Sequence, residues 1–141
     1  MIEFNVGSHE LVVEEPDLVV MRWHGAMSVN DLSTLSRELQ KHCARWPYML
    51  LLQNVTDLGG IPAEVRRFAP SGARYSAPLR GVAIVGAGFA LRTVATLMLR
   101  VVNLTQRNAD NPNEFFADET AARTWLASRR AALTEGGPNK I

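Results

Sequence analysis

The sequence Val85-Gly86-Ala87-Gly88-Phe89-Ala90-Leu91 is where chemistry would first be sought. It follows an apolar strand and opens an amphipathic helix, the setting in which a glycine-rich turn cradles a dinucleotide phosphate. Leu91 stands where the third glycine of that fingerprint would let helix and strand approach, and no acid about 20 residues on closes a following strand. A dinucleotide site is therefore not expected. A simpler use survives: amide groups at the helix start around Gly86 and Gly88 could hold an anion, with Arg92 one turn along.

Other reactive types do not assemble into a reaction. His9, His24 and His42 are scattered, and His42 and Cys43 are adjacent, so on a helix they point about 100° apart. No zinc-ligand spacing exists, and no metal or cofactor is expected. Cys43 lies on an apolar helical stripe, the setting of an inert thiol. Asp57 and Glu64 lack a partner to set them as acid and base. Nothing here spells out catalysis.

The elements that must position these residues are legible. After a hairpin, Ile2 to Val6 with Glu10 to Glu14, a unit of apolar strand then amphipathic helix repeats four times. The strands are expected at Leu18 to Gly25, Met49 to Val55, Gly81 to Gly86 and Glu114 to Ala117. The helices are expected at Ser28 to Trp46, Pro62 to Ala69, Phe89 to Arg107 and Asp118 to Leu133. Strict alternation implies an α/β fold: one mostly parallel sheet with an antiparallel N-terminal edge, covered by helices on both faces. Met49-Leu50-Leu51-Leu52 is apolar without alternation, as a doubly covered strand should be. Leu32, Leu35, Leu39, Cys43 and Trp46 recur every three or four residues and predict one buried stripe. Asn54 to Pro62 reads as a loop, and Ala73 to Arg80 as a mobile basic connection. A single domain is expected over residues 1–134, with a flexible tail at 135–141.

Charge is divided along the chain. Residues 1–60 carry eight acids and four bases; residues 61–107 carry seven arginines against Glu64 alone. That middle could face an anionic ligand, an acidic partner or a membrane surface, or its arginines could pair with acids of the N-terminal half. The stretch Val82 to Leu104 is apolar, but Arg92, Arg100 and two glycines argue against a stable membrane span. Nucleic acid is not an expected partner, since no reading motif accompanies the arginines. One cysteine and no visible signal sequence suggest a cytoplasmic protein.

Ligands of open α/β sheets collect beyond the carboxyl ends of the strands. That edge nominates His24, Asn54, Thr56, Asp57, Arg66, Arg67, Gly86, Gly88 and Arg92 as ligand or partner contacts.

With these units placed, the chain resembles the SpoIIAA-like group of STAS-type domains, whose fold is shared with CRAL-TRIO lipid carriers. The resemblance runs over about residues 2–133. It rests on Val20 to Gly25, on Leu50-Leu51-Leu52-Gln53-Asn54-Val55-Thr56, and on Gly81-Val82-Ala83-Ile84-Val85-Gly86. It is most specific in Phe115-Phe116-Ala117-Asp118-Glu119 with Ala122 and Trp125-Leu126. It implies a non-catalytic role, in regulatory protein contacts or in binding a small apolar molecule. Beside it stand two expectations from the chain itself, a homodimer and a carrier or sensor of a lipid-like hydrophobic or anionic-amphiphilic molecule. Anti-anti-sigma members carry an Asp-Ser-x-Gly phosphorylation motif at the second helix start. Here the loop reads Thr56-Asp57-Leu58-Gly59-Gly60, leaving Thr56 as the one candidate phosphoacceptor. The apolar residues Phe89, Leu91, Val94, Leu97, Met98, Val101, Val102 and Leu104 cover more than one helix face. That helix is fully buried, lines a pocket or forms an interface.

Overall fold

A computed structural model describes residues 1–65, 67, 77–106 and 110–134. The hairpin is present as β1 (Ile2–Val6) and β2 (His9–Glu14), turned by Gly7 at φ 60°. β3 (Leu18–Ala26) runs antiparallel to β2 and leads into α1 (Val29–Cys43). Ser28 caps α1 by accepting the Asp31 N–H at 3.0 Å. Leu32, Leu35, Leu39 and Cys43 form its buried stripe as the spacing predicts, but the helix ends at Cys43, and Trp46, expected as its last inward residue, packs half-buried on the core from beyond the helix. Three parallel additions follow: β4 (Met49–Gly60), β5 (Leu79–Val85) and, after α2 (Phe89–Gln106), β6 (Asn113–Phe116). α3 (Glu119–Thr134) closes the described chain, its first turn capped by Asp118, which accepts the Ala121 N–H at 2.8 Å.

Strand order is β1-β2-β3-β4-β5-β6, identical to chain order. Successive crossovers therefore all step the same way, and a single handedness puts their helices on one face. The core agrees. Residues of α1, Val65 and Leu99 of α2 pack with Val19, Met21, Met49, Leu51, Val82 and Ile84. α3 is no crossover and folds beneath the other face, where Ala122, Leu126 and Leu133 meet Val20, Leu50, Leu52, Ala83 and Val85. Alternate residues of β4 and β5 thus enter opposite cores, which explains their unbroken apolar runs.

The loop expectation changes. Asn54 to Gly60 is not a loop. It continues β4, pairing His24 with Asp57, Gly25 with Leu58 and Ala26 with Gly60. Its turn-forming residues are overridden by cross-strand pairing, with register shifts between Arg22 and His24 and between Gly25 and Ala26. The strand order also has no reversal, so the crevice that reversal creates in doubly wound sheets is absent. Of the helix expected at Pro62 to Ala69, residues 63–65 and 67 are helical. The rest of it, most of the Ala73 to Arg80 connection and the 135–141 tail lie outside the described residues. No helix among the described residues is long and apolar enough to cross a membrane.

Candidate functional site

β5 ends at Val85, opposite Asn54, while β3 and β4 continue past that level as a two-stranded arm. The Met27 N–H donates to the Gly60 carbonyl at 3.2 Å and ties down the arm's end. Gly59 lets the two strands approach: a Cβ there would lie 2.9 Å from the Gly25 carbonyl carbon. At the end of β5 the chain reverses through Gly86, at φ 81°, directly against Thr56. The carboxyl edge is thereby split into two sides with opposite chemistry.

The α3 side is polar. The Arg22 guanidinium donates to both oxygens of Glu119, Nε to Oε2 at 2.8 Å and Nη2 to Oε1 at 2.9 Å. Asn54 Nδ2 donates to Glu119 Oε2 at 2.8 Å, and Arg22 Nη1 reaches Glu10 Oε2 at 3.4 Å. These bonds, led by the Arg22 pair, pull the Glu119 carboxyl down to about 2. His24 stands between carboxylates, Nδ1 at 3.2 Å from Asp57 Oδ2 and Nε2 at 3.8 Å from Glu10 Oε1. On the opposite, α1 face, the His24 backbone N–H donates to Nδ1 of buried His9, whose Nε2 lies 3.2 Å from Asp31 Oδ2 of α1. Farther along α3, Arg123 forks onto Glu14 at 3.1 and 2.8 Å. Arg130 grips buried Asp17, which also accepts the Tyr48 hydroxyl at 2.7 Å. Burial, with that contact, raises the Tyr48 hydroxyl to about 12. Of the acids of the N-terminal half, Glu10 is thus met by Arg22, and Glu14 and Asp17 by α3.

The α2 side is apolar. A pocket of about 290 Å³ lies between the β4 end and the first turns of α2, lined by Leu58, Gly59, Gly60, Ile61, Ala90, Leu91 and Val94. It exists because β5 stops short and leaves the arm's flank over α2 without a neighbouring strand. Beyond it α2 turns Phe89, Leu97, Val101 and Leu104 into solvent.

The candidates nominated from sequence scatter across these sides. His24, Asn54 and Asp57 meet on the polar side. Thr56 is exposed on β4, its N–H held by Asn54 Oδ1 at 3.1 Å and its hydroxyl against Gly86. It sits on a strand, not at the helix start where the anti-anti-sigma site lies. Gly86 donates its N–H to the Phe116 carbonyl and Gly88 accepts the Arg92 N–H, so both serve the turn. Arg92 Nε donates to the Ala87 carbonyl at 3.1 Å, beside the helix start, and its guanidinium lies 5.1 Å from the Phe115 ring centroid. Arg67 is exposed, and Arg66 lies outside the described residues. Among the described residues no group of three His, Cys, Asp or Glu side chains is placed to hold a metal. Burial lifts the Cys43 thiol to about 11, keeping it protonated at neutral pH.

Sequence reasoning missed Arg22 and Glu119 as a pair, and Leu58 and Ile61 as pocket walls. One signal was available: an arginine inside Leu-Val-Val-Met-Arg-Trp demands a carboxylate, because a half-buried guanidinium without one is costly.

The SpoIIAA-like family model matches residues 18–127, from β3 into α3. The chain belongs to the SpoIIAA-like family. An uncharacterised protein from Shewanella loihica PV-4, described as a DUF3478 family member with a SpoIIAA-like fold, is similar in structure. It is 22% identical, with 82% of this chain and 90% of that one covered and a TM-score of 0.52, so the likeness speaks for the fold alone. No curated protein matches the chain. Phe116 and Trp125, part of the ending that carried the resemblance, pack 5.8 Å apart, and Glu119 is the acid that clamps Arg22.

Proposed function

We propose that this SpoIIAA-like chain is a cytoplasmic, non-enzymatic domain with a regulatory role, working through protein–protein contacts on the α2 side of its carboxyl edge. One observation supports this above the others: α2 holds four large apolar side chains in water and carries no acid along its length. A contiguous apolar patch on a folded protein marks an interaction surface. The polar side is a poorer candidate, because its charges are engaged with one another and hold α3 to the sheet. A photo-reactive residue at position 97 or at exposed position 124 on α3, followed in cells, tests the reading. Protein adducts are expected at 97 and not at 124; no adduct at 97 would refute it.

The pocket favours a second reading, a carrier or sensor of a small hydrophobic or amphiphilic molecule. Its roughly 290 Å³ falls just below the roughly 300–1,000 Å³ range of small-molecule sites, and its lining is apolar. Native protein analysed by lipid mass spectrometry should then release a bound molecule. A protein that releases none contradicts this use.

A further inference from the structure

We infer that two copies of this chain pair through α2, helix against helix, an assignment that rests on the reading of α2 as the contact face. The decisive feature is spacing. Leu91, Ala95, Met98 and Leu99 face the sheet core. On the outward side Ala90, Val94, Leu97, Val101 and Leu104 recur at steps of four, three, four and three. That is the 3.5-residue period of a helix-pairing seam, with Val94 and Val101 at one alternating position and Ala90, Leu97 and Leu104 at the other. Branched valine alternating with leucine is the combination that favours two helices over larger bundles.

The spacing also discriminates between occupants. A flat apolar surface would accept any broad stripe of hydrophobic residues, whereas knobs set at alternating steps of four and three fit the holes of another helix. The seam carries no charge, and Arg100 lies on its flank. A second copy supplies a seam of identical period. Phe89, Leu97, Val101 and Leu104 are 88%, 55%, 44% and 79% exposed. Phe89 stands off the seam; the other three offer on the order of 300 Å² per copy and about 600 Å² for two, the size of a weak, reversible contact. The helix is already formed and seated on its own sheet, so pairing bears no cost of folding it. The expected dimer is consequently reversible and populated at tens of micromolar. Ala90 and Val94 also line the pocket, so an arriving helix would border its mouth.

Sedimentation velocity of the full chain between 1 and 100 µM tests the inference. The wild type should move at twice the 15.6 kDa chain mass at high concentration and dissociate on dilution. Leu97→Glu and, nearer the helix end, Leu104→Gln should each be monomeric at 100 µM with unchanged melting, while Thr124→Glu stays dimeric. An equimolar mixture of Leu97→Glu and Leu97→Lys should recover the dimer. A wild type monomeric at 100 µM overturns the inference, as does a dimer indifferent to both seam variants. A monomer that forms adducts with a different protein at position 97 refutes self-pairing and leaves the contact face standing. A monomer that floats with anionic vesicles transfers the face to a bilayer and also refutes self-pairing. Absence of every adduct removes both readings.

Discussion

The α3 and α2 sides of the carboxyl edge are built from the same strands yet differ in what their side chains have left to bind. On the α3 side Arg22, Glu119, Asn54, Glu10, His24 and Asp57 contact one another, and Glu14 and Asp17 hold Arg123 and Arg130. On the α2 side the pocket walls and the outward seam meet solvent. A cluster whose hydrogen bonds and charges are satisfied internally serves cohesion. Apolar surface left in water has free energy still to gain, roughly 25 cal/mol per Å² covered. In this molecule the clustering of reactive residue types points to stability, and unsatisfied surface points to function.

Substitutions can break this contrast at graded cost. The largest effect is expected at the junction of the two sides. Gly86→Ala forces a Cβ to within 2.2 Å of Thr56 Oγ1 and 3.0 Å of its Cα, at a φ of 81° that L side chains resist. A loss of about 2–4 kcal/mol is expected in denaturant unfolding. Glu119→Gln should cost about 1.5–3 kcal/mol, since Arg22 and Asn54 lose a charged acceptor, without altering self-association.

Acid gives the same contrast a pH signature. Glu119 sits at about 2 when folded against an ordinary 4.5, so the folded state binds fewer protons than the unfolded one. The stability it supplies is fully present above pH 4.5 and disappears as pH falls toward 2. Its side chain is 24% exposed, so after allowance for screening the loss is about 1–2 kcal/mol, and Glu119→Gln should flatten that part of the profile. The smallest effect sharpens the comparison most. Leu97→Glu should move unfolding free energy by no more than about 0.5 kcal/mol, because its side chain is largely in water, yet abolish pairing.

Much of the frame was legible because hydrophobic period is a local signal. The stripe from Leu32 to Cys43 and the run Met49 to Leu52 fall where spacing places them. What escaped depends on partners distant in the chain. Asn54 to Gly60 looks like a loop by composition and becomes strand only because β3 pairs with it. Arg22 and Glu119 are 97 residues apart, and no periodicity links them. The pocket follows from a difference in strand length, β4 having twelve residues and β5 seven, which local pattern does not encode. Arg92 lies beside the helix start, its Nε on the Ala87 carbonyl, but the Phe115 ring it also faces comes from a later strand and left no local signal.

The claim that two copies meet through the α2 side is tested most directly by amide NMR spectra of the isotope-labelled chain recorded on dilution from high to low micromolar concentration. Resonances of residues 89–104 and of Leu58 to Ile61 should shift and sharpen together, while Glu10, Arg22, Asn54 and Glu119 stay in place. Shifts centred on Glu119 and Arg22, or spectra that do not change anywhere with concentration, would contradict the account.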